Sequence, residues 1–545
     1  SFQHTPGCRE NPPDGNRTTE DAVTTPHLPR ISDYPFSTAQ RWPERMAMKF
    51  SGRCWSYAEL VSQVDRCAKA LLALGVAPGD RVAMLTSPRP EFLIVFLATV
   101  RIGAIWTGLN PRYTMRERAV ILANATPTVL FSVAQPPGST HPGLEQGRII
   151  AIDETDNSSG TLPYEEFADL ADQVSNASYR AAQHVVMPDD PAVIVYTSGT
   201  TGVPKGVVIS HQALVLGNRA RHQRWPSQIP RIVANLPVNH IGGLGDIVCF
   251  ALVGAGTIYF MESFDAEVTL KMVQRENINL WLQVPTMYRR VSELSRFKDA
   301  TVPALEWLIW SGAPMPPELL RKLARLDTNI ATAYGLTESC GSLTGTGALN
   351  PAHAPSTIVG FPHPGCEIRI ADDAGRSVES GHSGEIQARS PWMMSGYFDL
   401  PEASTAAFTA DGWLRTGDIG TLHADGSLHL VGRATEMFIT GGYNVYPREI
   451  EAVLEQHPAV AMAVVIAVPD PVFQESATAF IQLADEVSPQ PQSGGSIDFS
   501  AWCRQQLAGY KVPRHFIITT DFPLLPNGKI DRRALGADRH GPTVG

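Results

Sequence analysis

The run Tyr196-Thr-Ser-Gly-Thr-Thr-Gly-Val-Pro-Lys-Gly206 carries the strongest chemical signal in the chain. Small hydroxyl residues and glycines let a loop close around phosphate oxygens, with backbone N–H groups and hydroxyls as donors. Thr197, Ser198, Gly199, Thr200 and Thr201 supply that set, and Lys205 adds a mobile positive charge. The run is not a Walker A loop, because no Gly-x-x-x-x-Gly-Lys-Ser/Thr can be laid on it. Three glycines alone would fit an ordinary surface loop. Eleven such residues directly after the apolar stretch 192–195 point to phosphate binding.

Six further segments follow in a fixed order. They are Ser311-Gly-Ala-Pro-Met-Pro316, Tyr334-Gly-Leu-Thr-Glu-Ser339, Gly412-Trp-Leu-Arg-Thr-Gly-Asp418, Gly432-Arg433, Gly441-Gly-Tyr-Asn-Val-Tyr-Pro-Arg-Glu-Ile-Glu451 and Pro526-Asn-Gly-Lys-Ile-Asp531. Together with the first run they resemble the acyl-adenylate-forming superfamily, from about residue 35 to 540. That superfamily holds acyl-CoA synthetases, aryl-CoA ligases, adenylation domains and firefly luciferase. The resemblance to its acyl-CoA synthetase and aryl-CoA ligase branch implies an acid–thiol ligase. Such an enzyme uses ATP and Mg²⁺ to turn a carboxylic acid into acyl-AMP and pyrophosphate, then passes the acyl group to coenzyme A.

The roles the resemblance implies make chemical sense, since attack of a carboxylate on the α-phosphate needs charge neutralisation and alignment more than covalent catalysis. Thr197, Ser198, Gly199, Thr200, Thr201 and Lys205 would hold the leaving phosphates, Thr337 the α-phosphate, and Glu338 the Mg²⁺. Gly312, Ala313 and Pro314 would line the adenine pocket, Tyr334 would stack near the base, and Gly335 belongs to the same nucleotide site. Asp418 would accept the two ribose hydroxyls with Arg433 beside it. Lys529 would reach from a small domain to the substrate carboxylate and α-phosphate. Gly441 and Gly442 would let pantetheine pass close to the backbone, next to Tyr443. Taken singly, Glu338 is a solvated acid, Asp418 a turn residue after Gly417, and Lys529 a lysine in an exposed turn. Three positions depart from the usual pattern: Glu436 at the hinge, Thr435 where lysine is common, and Tyr443 where glutamate is frequent.

By the same resemblance, Asn235-Leu-Pro-Val-Asn-His-Ile-Gly-Gly-Leu-Gly245 lines the acid pocket, which makes His240, Ile241, Gly242 and Gly243 the candidate substrate residues. Amino-acid-activating relatives carry an aspartate in this segment to pair with the α-ammonium. Here Asn239 and His240 stand instead, with Asp246 further on, which argues for an acid without an α-amino group. Gly242, Gly243 and Gly245 remove side-chain volume, and Trp281, Met287 and Trp310 are expected to supply apolar walls for a bulky apolar or aromatic acid. A tight turn would use the same glycines.

These segments need elements to hold them. Apolar residues at 60, 61, 64, 68, 71 and 72 have helical spacing over residues 57–74. Short apolar strands are expected over 81–85 and 105–109, with a helix over 91–101 between them. The alternation recurs through 191–196, 267–277, 280–284 and 305–310, predicting a parallel sheet covered on both faces. Past residue 435 the character changes to a helix over 447–457, strands over 461–468 and 477–483, a linker at 488–496, a helix over 499–507 and a strand over 515–519. The expected fold is α/β, with a large N-terminal domain of sheets flanked by helices and a small mobile α+β C-terminal domain. Residues 1–30 read as a poorly ordered tail, 31–434 as the adenylate-forming domain and 437–545 as the small domain, with the hinge near Glu436.

Composition removes several other classes. A net charge of -10 argues against a nucleic-acid partner, which would need a basic face. The longest apolar run, near residues 92–100, is too short for a membrane span. Seven scattered cysteines without a Cys-x-x-Cys pair fit reduced thiols in a cytoplasm. No Gly-x-Ser-x-Gly elbow supports a serine hydrolase. Two alternatives stay open: loading of a carrier protein instead of coenzyme A, and nucleotide binding without catalysis.

Overall fold

The computed structural model describes residues 26–133, 144, 148–153, 161–197, 204–354, 357–484, 497–525, 529–537 and 543–544. Ser198, Gly199, Thr200 and Thr201, most of the expected tail, and the linker at 488–496 lie outside the described residues.

The N-terminal periodicity folds as its spacing dictates. Helix Tyr57–Ala73 buries Leu60, Val64, Cys67, Ala68 and Leu71, and its first turn is set by a capping box between Ser56 and Glu59. Strands Arg81–Leu85 and Ile105–Leu109 pair in parallel. Helix Pro90–Arg101 between them is buried at every position from Phe92 to Val100, so it is covered all round. Pro191–Thr197 extends this sheet in parallel from Ile105–Leu109.

The next strand, Lys205–Ser210, runs antiparallel to Pro191–Thr197 and adds an antiparallel member to the expected parallel sheet. Residues 198–204 are too few for a crossover, which takes about a dozen residues or more. The phosphate-loop run therefore joins two adjacent antiparallel strands, pairing Thr197 with Lys205.

A second, thirteen-stranded sheet has a parallel centre of Thr257–Phe260, Arg231–Ala234, Leu280–Gln283, Trp307–Ser311 and Asn329–Leu336. It continues through antiparallel strands that include Leu414–Leu422 and Leu428–Arg433. After the short turn Ala434–Glu436 the chain enters a separate sheet. There Val460–Asp470 pairs antiparallel with Gln474–Leu483, and His515–Ile518 adds in parallel. Helix Pro447–Leu454 buries Ile450 and Leu454 against that sheet, and Phe438, Val465, Ala479, Phe499 and Phe516 complete its own core. The hairpin of Phe438–Thr440 and Tyr443–Val445 turns at Gly441 and Gly442, whose φ values of 55° and 86° suit a tight two-residue turn. Mixed α/β structure with a large N-terminal and a smaller C-terminal unit is thus the architecture.

Two further expectations change. Trp281 and Trp310 are 0% and 5% exposed and pack with Tyr288, Leu308 and Leu320, filling core rather than walling a pocket. Their strand positions point them into the helix-covered face, a choice that alternation alone leaves open. Among the described cysteines, Cys67, Cys249, Cys340, Cys366 and Cys503 are free, whereas Cys54 is disulfide-bonded. No helix among the described residues is long and apolar enough to cross a membrane.

Candidate active site

The carboxyl ends of the parallel strands from both sheets face one region, where ligands of open α/β sheets usually bind. A cavity of about 570 Å³ opens there, lined by Thr86, Asn110, Asn235, Asn239 and Thr286, each following a strand. Met287 also lines it, and Leu524 and Leu525 of the C-terminal unit close one side.

Lys529 enters beside this opening. The Leu525 N–H donates to its carbonyl at 2.7 Å, and Leu524 bridges Ile530. A Cβ built on Gly312 would stand 3.4 Å from Lys529 Cε, which puts the lysine stem against the Ser311-Gly-Ala-Pro turn. Gly312 itself has φ 84°, the left-handed region, directly after strand Trp307–Ser311, and Ala313 and Pro314 follow it half-buried. Burial, then the Arg433 charge, pushes the Lys529 ammonium below the ordinary amine range, against the opposite pull of Asp418 and Glu436.

Asp418 and Arg433 face each other on paired antiparallel strands, with Arg433 Nε 3.0 Å from Asp418 Oδ1. The Tyr334 hydroxyl donates to Asp418 Oδ2 at 2.7 Å. Burial pushes the Asp418 carboxyl up, while Arg433, Tyr334 and Lys529 pull it down. Gly335 is forced by close packing: a Cβ there would stand 2.0 Å from the Gly341 carbonyl oxygen.

Thr337 and Glu338 sit half-buried on the one-turn helix Thr337–Ser339 after strand Asn329–Leu336. Tyr397, which the motifs do not single out, ties this turn to the phosphate-loop strand. Its hydroxyl donates to Glu338 Oε1 at 2.9 Å, and Lys205 Nζ lies 5.0 Å from its ring centroid. A tyrosine in Ser395-Gly-Tyr-Phe398 has no sequence feature that marks it as a partner of Glu338.

His240 also lies within reach of the Lys529 charge. Burial, helped by that charge, pushes its imidazole down to about 4, so it is neutral at pH 7. Ile241 is 8% exposed and packs on Gly245. Of the three glycines expected to widen an acid pocket, only Gly242 has open space beside it, with Leu236 Cδ1 at 3.9 Å as the nearest atom to a Cβ built there. Gly243 is dictated by the Pro237 carbonyl oxygen, 2.4 Å from its would-be Cβ, and Gly245 by Ile241 at 2.9 Å. Those two glycines serve helix packing. Gly441, Gly442 and Tyr443 are exposed. Gly441 contacts Phe473, and Tyr443 stacks on Tyr510 at 4.3 Å between centroids.

Residues 36–398 match the family model described as AMP-binding enzyme, and residues 449–529 match the AMP-binding enzyme C-terminal domain. The chain is 33% identical over 512 residues to feruloyl-CoA synthase of an Amycolatopsis species, covering 92% of this chain and 97% of that one. It is 33% identical over 500 residues to indoleacetate–CoA ligase of Aromatoleum aromaticum, covering 90% and 94%. Among solved structures it is similar to o-succinylbenzoate CoA synthetase of Bacillus subtilis in complex with its acyl-adenylate intermediate. That match has a TM-score of 0.75, 26% identity, and coverage of 94% of this chain and 99% of that one.

Proposed function

The chain belongs to the AMP-binding enzymes, in the acyl-CoA synthetase and aryl-CoA ligase branch of the acyl-adenylate-forming superfamily, and from this premise we propose how its residues act. It is an AMP-forming acid–thiol ligase that consumes ATP, a carboxylic acid and coenzyme A. The convergence of Lys529 with Gly312, His240, Asp418 and Arg433 carries the reading, since it joins the C-terminal unit to the nucleotide segments.

In the first half-reaction a carboxylate oxygen attacks the α-phosphorus of ATP. The bond from that phosphorus to the β-bridging oxygen breaks, and pyrophosphate leaves with the electron pair. Lys529 neutralises charge on the carboxylate and α-phosphate oxygens as they crowd together. Thr337 donates to the α-phosphate, and Thr197, Ser198, Gly199, Thr200, Thr201 and Lys205 hold the departing phosphates. Gly312, Ala313, Pro314, Tyr334 and Gly335 bound the adenine, while Asp418, oriented by Arg433, accepts the ribose hydroxyls. Mg²⁺, when bound, offsets phosphate charge. Glu338, half-buried on the turn Thr337–Ser339, is the carboxylate that would hold it.

In the second half-reaction the coenzyme A thiolate attacks the acyl carbonyl, and AMP leaves. This step has the C-terminal unit turn about Ala434–Glu436 so that the exposed Gly441, Gly442 and Tyr443 face the adenylate. His240, Ile241 and Gly242 border the acid, with Gly243 supporting the turn behind them. The acid is bulky and apolar or aromatic and lacks an α-amino group, in keeping with Gly242's open side and with relatives named for feruloyl and indoleacetate substrates. Pyrophosphate release across acetate, octanoate, benzoate and a polycyclic acid, with mass spectrometry of the thioester, tests this. Faster turnover of the larger acids and an acyl-CoA product are expected. Fastest use of acetate would reverse the substrate assignment, and acyl transfer only to a carrier protein would reverse the acceptor.

A further inference from the structure

Behind the acid segment lies a buried charge pair that adenylation does not use. Arg221, on helix His211–Arg224, is 1% exposed, and all three of its nitrogens donate. Nε reaches Ser342 Oγ at 2.9 Å, Nη1 reaches Asn218 Oδ1 at 3.3 Å, and Nη2 reaches the Cys340 carbonyl at 2.6 Å. Nε also lies 3.1 Å from Asp246 Oδ1, which accepts the Ser342 N–H at 3.4 Å. Asp246 Oδ2 has no hydrogen-bond partner among the described residues. The Asp246 side chain keeps 10% exposure against 1% for Arg221, so the carboxylate is the member of the pair that meets open space. Gly341 is shaped around this pair. It has φ 98°, and a Cβ there would stand 2.5 Å from Asp246 Oδ1 and 2.6 Å from Arg221 Nη2.

Asp246 belongs to the same wall as the candidate acid residues. The segment Gly242–Cys249 is a π-helix, in which residues four to five apart lie on one side, so Asp246 follows Gly242 along the side that stays open. Gly341 and Ser342 close the opposite wall. They come directly after the Thr337–Ser339 turn and pack against Gly335. The walls that start at His240 and Thr337 therefore lead to one nine-tenths-buried carboxylate, whose Oδ2 has no hydrogen-bond partner among the described residues.

We propose that Asp246 is a specificity-determining residue whose Oδ2 accepts a hydrogen bond from a neutral hydroxyl or N–H group at the far end of the acid; this rests on the acyl-adenylate reading above. The pair's charges exclude the other polar ends. An ammonium would meet the Arg221 cation just behind Asp246, and a second carboxylate would face the Asp246 charge with the Arg221 nitrogens already engaged. A wholly apolar end would seal Oδ2 from water without a partner.

The test measures ATP- and Mg²⁺-dependent pyrophosphate release for matched acids: 4-hydroxycinnamate and cinnamate, 4-hydroxybenzoate and benzoate, 8-hydroxyoctanoate and octanoate. In the best-used pair the wild type is expected to favour the hydroxylated acid by at least about 10-fold in kcat/KM, mainly through KM. D246N should shrink that ratio. R221M/D246L removes both charges together, a replacement that buried ion pairs commonly tolerate, and should invert it. The ratio between paired acids is the readout, because a purely structural role would lower both members alike. Equal use of the two acids by the wild type, or an unchanged ratio in the variants, overturns the assignment. Absence of pyrophosphate release with every acid would overturn the adenylation reading itself, and is distinguishable from the first outcome.

Discussion

Lys529 carries a charge that its surroundings both resist and need. Burial and Arg433 favour the neutral amine, Asp418 and Glu436 favour the ammonium, and the balance falls below the ordinary lysine range. In the proposed role the ammonium is the form that neutralises the reacting oxygens, so adenylation should fall as pH rises through this lowered pKa. K529R keeps its charge at high pH and should lose that alkaline limb, even if slower overall. K529A should cut pyrophosphate release by about 10²–10³-fold, the cost of removing one donor at a developing charge, with little change in ATP affinity by calorimetry. At Glu338, Y397F should raise the half-saturating Mg²⁺ about 10-fold, because the carboxylate loses the hydroxyl that orients it. Thr337, Glu338, Asp418 and Lys529 were all readable as candidates because each lies in a contiguous motif. Tyr397 was not readable, since it meets Glu338 across 59 residues and its own segment is unremarkable.

The elements explain why some glycines open space and others fill it. Sequence alone treats Gly242, Gly243 and Gly245 alike, yet in the π-helix Gly242–Cys249 one faces open space and two face packed atoms. Helix hand and register decide this, and neither can be read from three glycines. The run 196–206 was readable as a candidate phosphate loop, whereas its antiparallel flanking strands follow from loop length, a constraint that the apolar pattern of 191–196 does not express. Gly341→Ala should destabilise the fold by about 2–4 kcal/mol, measured by thermal or denaturant unfolding, because it combines a positive φ with a clash against a buried ion pair. At the turn Ala434–Glu436, E436P should fix one arrangement of the two units by locking φ near about −65°. Adenylation should survive that change while thioester formation from the bound adenylate falls sharply. Equal loss of both steps would argue against a turning motion.

The whole molecule brings together groups that sequence holds far apart. Arg289 of the large unit donates to Gln482 Oε1 at 2.8 Å and to the Ala461 carbonyl at 3.0 Å, fastening the C-terminal unit in the arrangement that presents Lys529. R289A should slow pyrophosphate release by at least about 10-fold, since each of the two charged hydrogen bonds lost is worth about 1.5 kcal/mol or more, and leave transfer from preformed acyl-AMP largely intact. The two-part α/β architecture was legible from the change of pattern near residue 435. The way the parts meet was not, since Arg289 and Gln482 stand 193 residues apart and no periodicity links them. Attack at the innermost phosphorus of ATP by a carboxylate oxygen is tested directly by isotope transfer. With an accepted acid labelled by ¹⁸O in its carboxylate, the AMP released after coenzyme A transfer should carry one ¹⁸O and the pyrophosphate none. Unlabelled AMP, or ADP with labelled phosphate, would contradict it.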